Sequence, residues 1–298
     1  MTVPSTEHAE RFTHLRPLLF TIAYEILGSA TETDDVLQDS YLRWADVDLS
    51  TVRDTKSYLA QLVTRQALNT LRARARRREE YVGPWLPEPL LLDDQDQSTD
   101  MVLAESVSMA MLVLLETLSP DERAVFVLRE VFGFEFDEIA SAAGKSVPAV
   151  HQVAHRAREH VQARRKRFEP VDPQRSAAIT AEFFAAASSG DVQTLMSMLA
   201  PDAAWIADSG GKVSAARRPV VGAEKVARVI VGLVRMGLPN MRVQMATCNS
   251  APALMVYSGD RLDLVVTVET VDDKISKFYA IRNPDKLTAI AVPRTISR

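Results

Sequence analysis

The chain has 298 residues, a 47% share of hydrophobic residues and a formal net charge of −4 at pH 7, a length that predicts two or three compact units. No uninterrupted apolar stretch could span a bilayer and the first twenty residues carry charges, so we expect neither a membrane span nor a secretory signal, and a cytoplasmic protein. The single cysteine, Cys248, excludes an intrachain disulfide and a thiolate zinc site, and we expect a buried, unreactive thiol.

The first predicted unit, residues 1–81, is all helical. Apolar residues recur at steps of three and four from Arg11 to Leu27, which predicts an amphipathic helix that ends at Gly28. A second helix is predicted over Thr31–Trp44. After a polar loop, a third helix runs from Lys56 to about residue 80, and its second half is almost wholly basic.

The second predicted unit, residues 105–168, is also helical and follows a linker over residues 82–104. The linker is first proline-rich and then acidic, and this composition favours an extended chain. Helical periodicity returns over Met101–Leu118, and Ser119 with Pro120 predicts the start of the next helix. The predicted helices that follow are Asp121–Phe132, Glu135–Ala143 and Val147 to about Arg167. The turn at Gly144 makes the last two a helix-turn-helix.

The third predicted unit, residues 174–298, is α+β. A helix over Arg175–Ser189 and a second one reaching Leu199 precede segments rich in β-branched residues. These segments predict strands over Arg242–Thr247, Ala253–Tyr257, Leu262–Val271 and Lys274–Arg282. Asp272 and Asp273 between the last two predict a hairpin turn.

The charges are segregated along the chain. One basic stretch lies in the third helix and consists of Arg65, Arg72, Arg74, Arg76, Arg77 and Arg78. Another lies in the last helix of the helix-turn-helix and consists of Arg156, Arg158, Arg164, Arg165, Lys166 and Arg167. The acidic run between them consists of Asp93, Asp94, Asp96 and Asp100. Two basic helices joined by an acidic linker indicate one polyanion contacted at two places. A single charge run is more often a solvated helix face.

The helix-turn-helix is the most specific motif, because a helix of this kind fits the major groove of DNA. The positions where groove contacts fall are Pro148, Ala149, His151, Gln152, His155, Arg156 and Arg158. A three-helix bundle with a basic face is the alternative. Four features follow one another along the chain: the acidic helix Thr31–Trp44, the basic helix, Leu118-Ser119-Pro120 and this motif. In this order they resemble the extracytoplasmic-function group of bacterial sigma factors, over about residues 10–165.

The resemblance implies partners and roles. The first domain melts and reads the minus-ten promoter element, and the helix-turn-helix reads the minus-thirty-five element. Core RNA polymerase is contacted at its flap and at the clamp helices of its largest subunit, the latter by Asp34, Asp35, Gln38, Asp39 and Arg43. Minus-ten contacts fall on Arg53, Arg65, Asn69, Arg72 and Arg76. Relatives often carry Arg or Lys at the position of His151, so we expect a different promoter preference.

The third unit resembles the SnoaL-like domain that a subgroup of these sigma factors carries behind the sigma core. Three pieces carry this resemblance: Trp85-Leu86-Pro87-Glu88-Pro89, Asp208-Ser209-Gly210-Gly211-Lys212 and Asn283-Pro284-Asp285-Lys286-Leu287. The subgroup usually has glycine at Ser209. The implied fold is an NTF2-like cone that controls the sigma core. We expect the linker piece to dock on the other two, fixing the distance between the DNA-reading domains, while the acidic run threads towards the polymerase interior.

Three alternatives remain for the whole chain: a DNA-binding regulator that does not associate with polymerase, an enzyme with a DNA-binding appendage whose third unit is catalytic, and an interaction module only. No histidine lies beyond His160. We expect the acids of this unit, Asp260, Asp263, Glu269 and Asp273, to lie at strand edges or to face solvent. We expect its aromatic residues, Trp205, Tyr257, Phe278 and Tyr279, to lie in the core. We therefore expect no enzyme activity, cofactor or metal. A separate anti-sigma partner stays an open question.

Overall fold

The computed structural model describes residues 6–75, 81–92, 100–165 and 172–298. Two helical units and one α+β unit pack around the extended segment 81–92. The fold class predicted from the sequence is therefore confirmed.

The first unit is a three-helix domain. Its helices are α1 (Thr6–Leu27), α2 (Ala30–Trp44) and α3 (Thr55–Ala75), with a short 3₁₀ helix (Leu49–Thr51) before α3. Ser29 caps α2 by accepting a hydrogen bond from the backbone N–H of Glu32 at 3.1 Å. Trp44 is fully buried, and its indole N–H donates to the carbonyl of His8 at 2.9 Å. The last residue of α2 thus anchors it to α1.

The second unit contains the helix-turn-helix. Its helices are α4 (Met101–Ser106), α5 (Met109–Leu115), α6 (Pro120–Phe126), α7 (Phe136–Ala143) and α8 (Val147–Arg165). Ser119 and Glu122 form a capping box at the start of α6. Gly144 ends α7 with a φ of 66°, a conformation that glycine adopts at little cost. The helix-turn-helix is therefore present as predicted.

Two predicted helix bounds in this unit are wrong. The single helix predicted over Met101–Leu118 is two short helices, because Ser108 takes an extended conformation and its hydroxyl caps a new helix. The helix predicted to reach Phe132 keeps α geometry only to Phe126, and Val127–Val131 follows as a π-helical turn.

The third unit is a six-stranded mixed sheet with helices. Its elements are α9 (Pro173–Ser189), α10 (Val192–Met198), β1 (Leu199–Asp208), β2 (Val220–Val221), α11 (Ala223–Met236), β3 (Met241–Cys248), β4 (Ala251–Ser258), β5 (Arg261–Val271), β6 (Lys274–Ile281) and α12 (Pro284–Leu287), with a 3₁₀ helix (Ala289–Ala291) after α12. The strand order is β2-β1-β6-β5-β4-β3, and β1 is parallel to β6. The hairpin at Asp272 and Asp273 is confirmed, with φ values of 50° and 57°. The strands β1 and β2 and the helix α11 were not predicted.

The two faces of the sheet pack against different partners. One face, with Trp205 and Phe278, forms a core with α9, α10 and α11. The other face, with Tyr279, packs against Leu86 of the linker and Met109 of α5. The sheet is thus covered on its second face by the linker and the second helical unit.

The helical units share one hydrophobic cluster. Buried side chains of α1–α3 and of α4–α8 belong to this cluster, and Ile296 from the end of the chain joins it with 4% exposure. The two units are therefore packed on each other instead of being held apart by the linker.

Cys248 is fully buried at the end of β3, so the predicted burial of its thiol is confirmed, and burial raises the pKa of this thiol to about 12, which disfavours the reactive thiolate. Within the ranges that the structure describes, no helix is long and apolar enough to cross a membrane. The same residues contain no group of three or more His, Cys, Asp or Glu side chains placed to hold a metal ion.

Candidate DNA- and polymerase-binding surfaces

The recognition helix α8 presents its predicted DNA face to solvent. The residues predicted to contact the minus-thirty-five element are exposed or half-buried: Pro148, Ala149, His151, Gln152, His155, Arg156 and Arg158. The ring of His151 packs on Phe136, with 3.8 Å between ring centroids. Acidic neighbours orient the two arginines, because Arg158 pairs with Glu130 at 2.6 Å and Arg156 lies 3.7 Å from Glu122.

The basic helix α3 instead faces the helix-turn-helix unit. The guanidinium of Arg65 donates to the carbonyl of Ser141 at 3.0 Å, and Arg72 pairs with Asp121 at 2.5 Å. The hydroxyl of Ser141 donates in turn to Gln61 at 3.0 Å. Two of the predicted minus-ten contacts are therefore occupied by α6 and α7. Arg53 and Asn69 are exposed, and Arg76 lies outside the described residues.

The acidic helix α2 leaves most of its predicted polymerase face open. Asp35, Gln38, Asp39 and Arg43 are exposed. Asp34 is the exception, because the guanidinium of Arg294 donates two hydrogen bonds to its carboxylate, with distances of 3.0 and 2.6 Å.

Leu42 is an apolar residue on α2 that the sequence-based assignment missed. Its side chain is 59% exposed. It stands three and seven positions after Asp39 and Asp35, so the three residues share one face of the helix. Leu42 therefore lies beside residues that were predicted to bind polymerase, and its spacing from Asp35 was the signal that could have identified it.

The linker docks on the sheet unit through a buried charge pair. The carboxylate of Asp208 is fully buried and accepts hydrogen bonds from the Tyr81 hydroxyl at 2.5 Å and the Leu86 backbone N–H at 2.8 Å. Lys286 donates to the same carboxylate at 2.7 Å and to the Leu86 carbonyl at 2.5 Å. The Lys286 ammonium lies 3.9 Å from the centroid of the Trp85 ring. Burial lowers the pKa of Lys286 to about 8, an effect that Asp208 opposes.

The loop after β1 fits this junction only with glycine at two positions. Gly210 has a φ of 57°, and a Cβ there would lie 2.5 Å from the amide nitrogen of Asn283. Gly211 has a φ of 74°, and its Cβ would meet that of Val82 at 3.0 Å. The φ of Ser209 is not positive, so its side chain is tolerated where the subgroup usually has glycine.

The Asn283–Leu287 segment completes the junction. The Asn283 amide donates to the Tyr81 hydroxyl at 3.0 Å, while its carbonyl oxygen caps α12, in which Pro284 is the first residue. Leu287 is buried in the same cluster as Leu86. Lys212 and Asp285 form an exposed ion pair at the rim. The predicted meeting of the three sequence pieces is thus present, with Pro87 buried beside Leu86.

Glu88 connects this junction to the N-terminus of α2. Its carboxylate accepts from the Ser29 hydroxyl at 2.8 Å and from the backbone N–H of Thr31 at 3.0 Å, at the start of α2. The backbone N–H of Glu88 donates to the Gly28 carbonyl at 2.8 Å. A carboxylate at a helix N-terminus is stabilised by the helix dipole. The linker is therefore fixed to the first domain as well as to the sheet.

Comparison with known proteins agrees with this arrangement of two helical units and a sheet. Residues 11–77 match the model of Sigma-70 region 2, and residues 108–161 match that of Sigma-70, region 4. The ECF RNA polymerase sigma factor SigJ of Mycobacterium tuberculosis (strain ATCC 25618 / H37Rv) is 34% identical over 288 residues, which are 93% of this chain and 92% of SigJ. The chain belongs to the extracytoplasmic-function (ECF) family of RNA polymerase sigma factors.

The solved structure of SigJ and one further relative extend the similarity of this ECF sigma factor beyond the helical units. The crystal structure of Mycobacterium tuberculosis SigJ superposes with a TM-score of 0.75 at 31% identity, covering 94% of this chain and 98% of the other. The probable ECF RNA polymerase sigma factor SigI of Mycobacterium tuberculosis (strain CDC 1551 / Oshkosh) is 28% identical over 275 residues, with 91% and 92% of the two chains covered. Core RNA polymerase and promoter DNA are therefore the partners of the sigma factor, and the polymerase-independent alternative is excluded.

Asn249 is a junction residue of the sigma factor that sequence reasoning missed. It is fully buried in the turn after β3, with a φ of 53°. Its amide donates to the Tyr24 hydroxyl at 2.8 Å and the Val107 carbonyl at 2.9 Å, and its oxygen accepts from the Leu90 backbone N–H at 2.9 Å. One side chain thus joins the first domain, the second domain and the linker. No local pattern marks it, because Asn-Ser is an ordinary turn sequence.

The segment after α12 returns to the helical part of the sigma factor. Ile296 enters the helical core, and the backbone N–H of Ser297 donates to the Thr21 hydroxyl of α1 at 3.1 Å. Arg298 pairs with Asp100 and also donates to the Val131 carbonyl at 3.3 Å. The tail therefore contacts both helical units.

The expectation for the tail carboxylates is wrong for two of four residues. Asp260 and Asp273 are exposed, as expected. Asp263 is only 11% exposed, because it pairs with Arg282 at 2.7 Å. Glu269 is 9% exposed and forms an ion pair with Lys277 at 3.1 Å. Neighbouring cations on the sheet make burial of these two acids tolerable.

The aromatic residues of the tail divide between core and cleft. Trp205 and Phe278 pack in the core, as expected. Tyr279 is buried but also lines a cleft, and its hydroxyl donates to Glu269 at 2.5 Å. Tyr257 is half-buried beside Arg242, whose guanidinium lies 3.9 Å from its ring centroid.

Proposed function

We propose that the SnoaL-like tail controls this ECF sigma factor by holding it in a closed arrangement that is inactive for promoter opening. The observation that carries the proposal is the pairing of Arg65 and Arg72 with the helix-turn-helix unit. Both side chains are exposed, but each guanidinium is engaged by a group of the second unit, so it must leave that group before it can neutralise a promoter phosphate. Promoter melting then requires α3 to separate from α6 and α7.

The tail has the contacts needed to stabilise this closed arrangement. It reaches the first domain through the ion pair of Arg294 with Asp34, and the second domain through Arg298, which donates to the Val131 carbonyl. Asn249 hydrogen-bonds to both domains at once. Because these contacts bridge two units, release of the tail removes stabilisation from both sides of the α3 interface.

We assign the polymerase-binding role to residues of α2 that are exposed and that match the family's polymerase-binding helix. Asp35, Gln38, Asp39 and Arg43 form the exposed surface that docks on the clamp helices, and Asp34 joins this surface once Arg294 withdraws. The second domain contacts the flap. The exposed α8 face reads the minus-thirty-five element, and Arg53, Arg65, Asn69, Arg72 and Arg76 serve the minus-ten element after opening. The acidic run lies outside the described residues except for Asp100, so its path is an assignment by resemblance.

The domain boundaries follow from these roles. Region 2 spans residues 1–81, the linker 82–104, region 4 105–168 and the SnoaL-like domain 174–298. A transcription factor of this kind works in the cytoplasm, with the polymerase.

We assign the tail no catalytic activity of its own. The carboxylate of Glu269 already accepts hydrogen bonds from Tyr279, Ser276 and Lys277. A carboxylate that is engaged in this way is poorly placed to accept a proton from a substrate.

The proposal is tested by in vitro transcription with core polymerase on a library of promoter sequences. We expect Arg294→Ala to raise the yield of transcripts from a defined two-block promoter, because it frees Asp34 and weakens the bridge to α2. Arg228→Ala is the matched control, since Arg228 forms only an exposed ion pair within α11. A version ending near Pro170 provides a second test.

Two outcomes decide the proposal. Higher activity of Arg294→Ala and of the shortened chain, with Arg228→Ala unchanged, supports a closed inactive state. Lower or unchanged activity of both, at equal helix content by circular dichroism, contradicts inhibition by the tail.

A further inference from the structure

A cleft opens between the second helical unit and the outer face of the sheet. It has a volume of about 360 Å³, within the range of about 300–1,000 Å³ that small-molecule sites occupy. Its walls are mainly apolar and include Met109 and Met111 of α5 and Pro252 of β4. At its rim stand Met101 and Val102 of α4, which are 77% and 42% exposed. Exposed apolar side chains around a cleft favour an apolar occupant.

The sheet contributes two hydroxyl groups to the cleft. Thr267 of β5 and Tyr279 of β6 are directly opposite each other in the antiparallel pair, so their side chains lie on the same face. Thr267 is 1% exposed, and its hydroxyl has no hydrogen-bond partner among the described residues. A buried hydroxyl without a partner costs free energy, which a ligand can recover.

The hydrogen-bonding pattern of these groups selects the ligand. The Tyr279 hydroxyl donates its proton to Glu269, which leaves a lone pair on the phenol oxygen to accept a hydrogen bond. Burial and Glu269 together raise the pKa of Tyr279, so the phenol stays protonated. Thr267 is free to donate. The pair therefore offers one donor and one acceptor, the complement of an alcohol.

We propose that this cleft binds a neutral, apolar molecule that carries one hydroxyl group. Its hydroxyl accepts a hydrogen bond from Thr267 and donates one to the Tyr279 oxygen, while its apolar body fills the space between α5 and the sheet. The carboxylate of Glu269 next to Tyr279 disfavours an anionic ligand. Because one wall belongs to the helical unit and the other to the tail, the bound molecule stabilises the closed arrangement; this effect, unlike the binding itself, rests on the proposed function.

The binding is tested with 2-naphthol and with naphthalene, which lacks the hydroxyl, on the full-length protein. We expect saturable binding of 2-naphthol and binding that is weaker by about two- to tenfold for naphthalene, the value of one net hydrogen bond. Thr267→Val should reduce 2-naphthol affinity by a similar factor. The matched control is Thr64→Val, because the Thr64 hydroxyl is equally buried and without a partner among the described residues but lies in α3, away from the cleft.

A second pair of variants tests the cleft without altering a buried group. Val102→Asp places a charge at the exposed rim and should abolish most 2-naphthol binding, whereas Val221→Asp, at a valine that is 53% exposed on β2, should not. Absence of saturable binding, or binding that Thr267→Val and Val102→Asp leave unchanged, would overturn the proposal. Binding that leaves wild-type transcription unaffected supports the site and contradicts its link to the closed arrangement.

Discussion

Glu25 is a buried carboxyl at the contact between the two helical units. It is fully buried in α1, and its carboxylate accepts from the Ser106 hydroxyl of α4 at 2.7 Å. Burial raises the pKa of Glu25 to about 8, an effect that Ser106 and Arg123 oppose. Its second oxygen has no partner within the part of the chain that the structure describes. The packing of the two units is thus coupled to one proton.

Glu25 predicts the pH dependence of stability. The folded pKa lies near 8 and the unfolded one near 4.5, so the folded state binds the proton more tightly. The resulting stabilisation is complete below about pH 4.5 and is lost as the pH rises through about 8. Glu25→Gln should therefore flatten the free energy of unfolding between these values, as measured by urea titration. Glu10→Gln, at an exposed position, should keep the wild-type slope; an unchanged slope in Glu25→Gln would contradict the prediction.

At the scale of single elements, α2 combines two functions on opposite faces. Trp44 and Val36 bury one face in the first domain, while the exposed face carries the acids and Leu42. Glu88 of the linker and Ser29 hold the N-terminus of the helix in place. The residues that we propose to bind polymerase therefore lie on a helix whose start is fixed by the linker.

The exposed leucine of α2 gives a prediction for polymerase binding. Leu42→Asp should weaken the affinity for core polymerase by about tenfold or more, because it places a charge where an exposed apolar side chain stands beside the proposed polymerase-binding residues. Its melting temperature should stay close to that of the wild type, since the side chain is 59% exposed. Val243→Asp, at an exposed valine of β3, is the control. Equal affinities of Leu42→Asp and wild type in a competition assay would contradict the assignment.

At the scale of the whole molecule, a few buried polar contacts decide how the three units sit together. Asp208 and Lys286 fix the linker on the sheet, and Asn249 joins it to both helical units. Each contact spans more than 70 positions of the sequence. The linker therefore lies between the three units and contacts the groups that join them.

The charge pair of the linker predicts the shape of the molecule in solution. Asp208→Asn leaves the Lys286 ammonium buried without its counter-charge, which costs about 3–5 kcal/mol in buried pairs. We expect the linker to leave the sheet and the radius of gyration, measured by small-angle X-ray scattering, to increase. Lys212→Ala removes only an exposed ion pair at the same junction and should leave the radius unchanged. A compact Asp208→Asn variant would show that the pair does not hold the linker.

The local elements of this sigma factor were predictable from the sequence. Helix starts and turns are encoded by neighbouring residues, as at Ser119 with Pro120, at Gly144 and at Asp272 with Asp273. The strand β1 was missed because Pro201 and Asp202 near its start are weak strand formers. The three sequence pieces that form the junction were identified by resemblance. These pieces include Asp208 and Lys286.

What the sequence by itself determined about this protein is its family, its order of units and the residue types of the surfaces that we propose for binding. Only the tertiary structure decided that Arg65 and Arg72 are paired, that Ile296 enters the helical core, and that Thr267 lines a cleft. The physical reason is the range of the interactions. Propensity and capping act over a few residues, whereas burial and ion pairing depend on surfaces that come together only when the separate units pack.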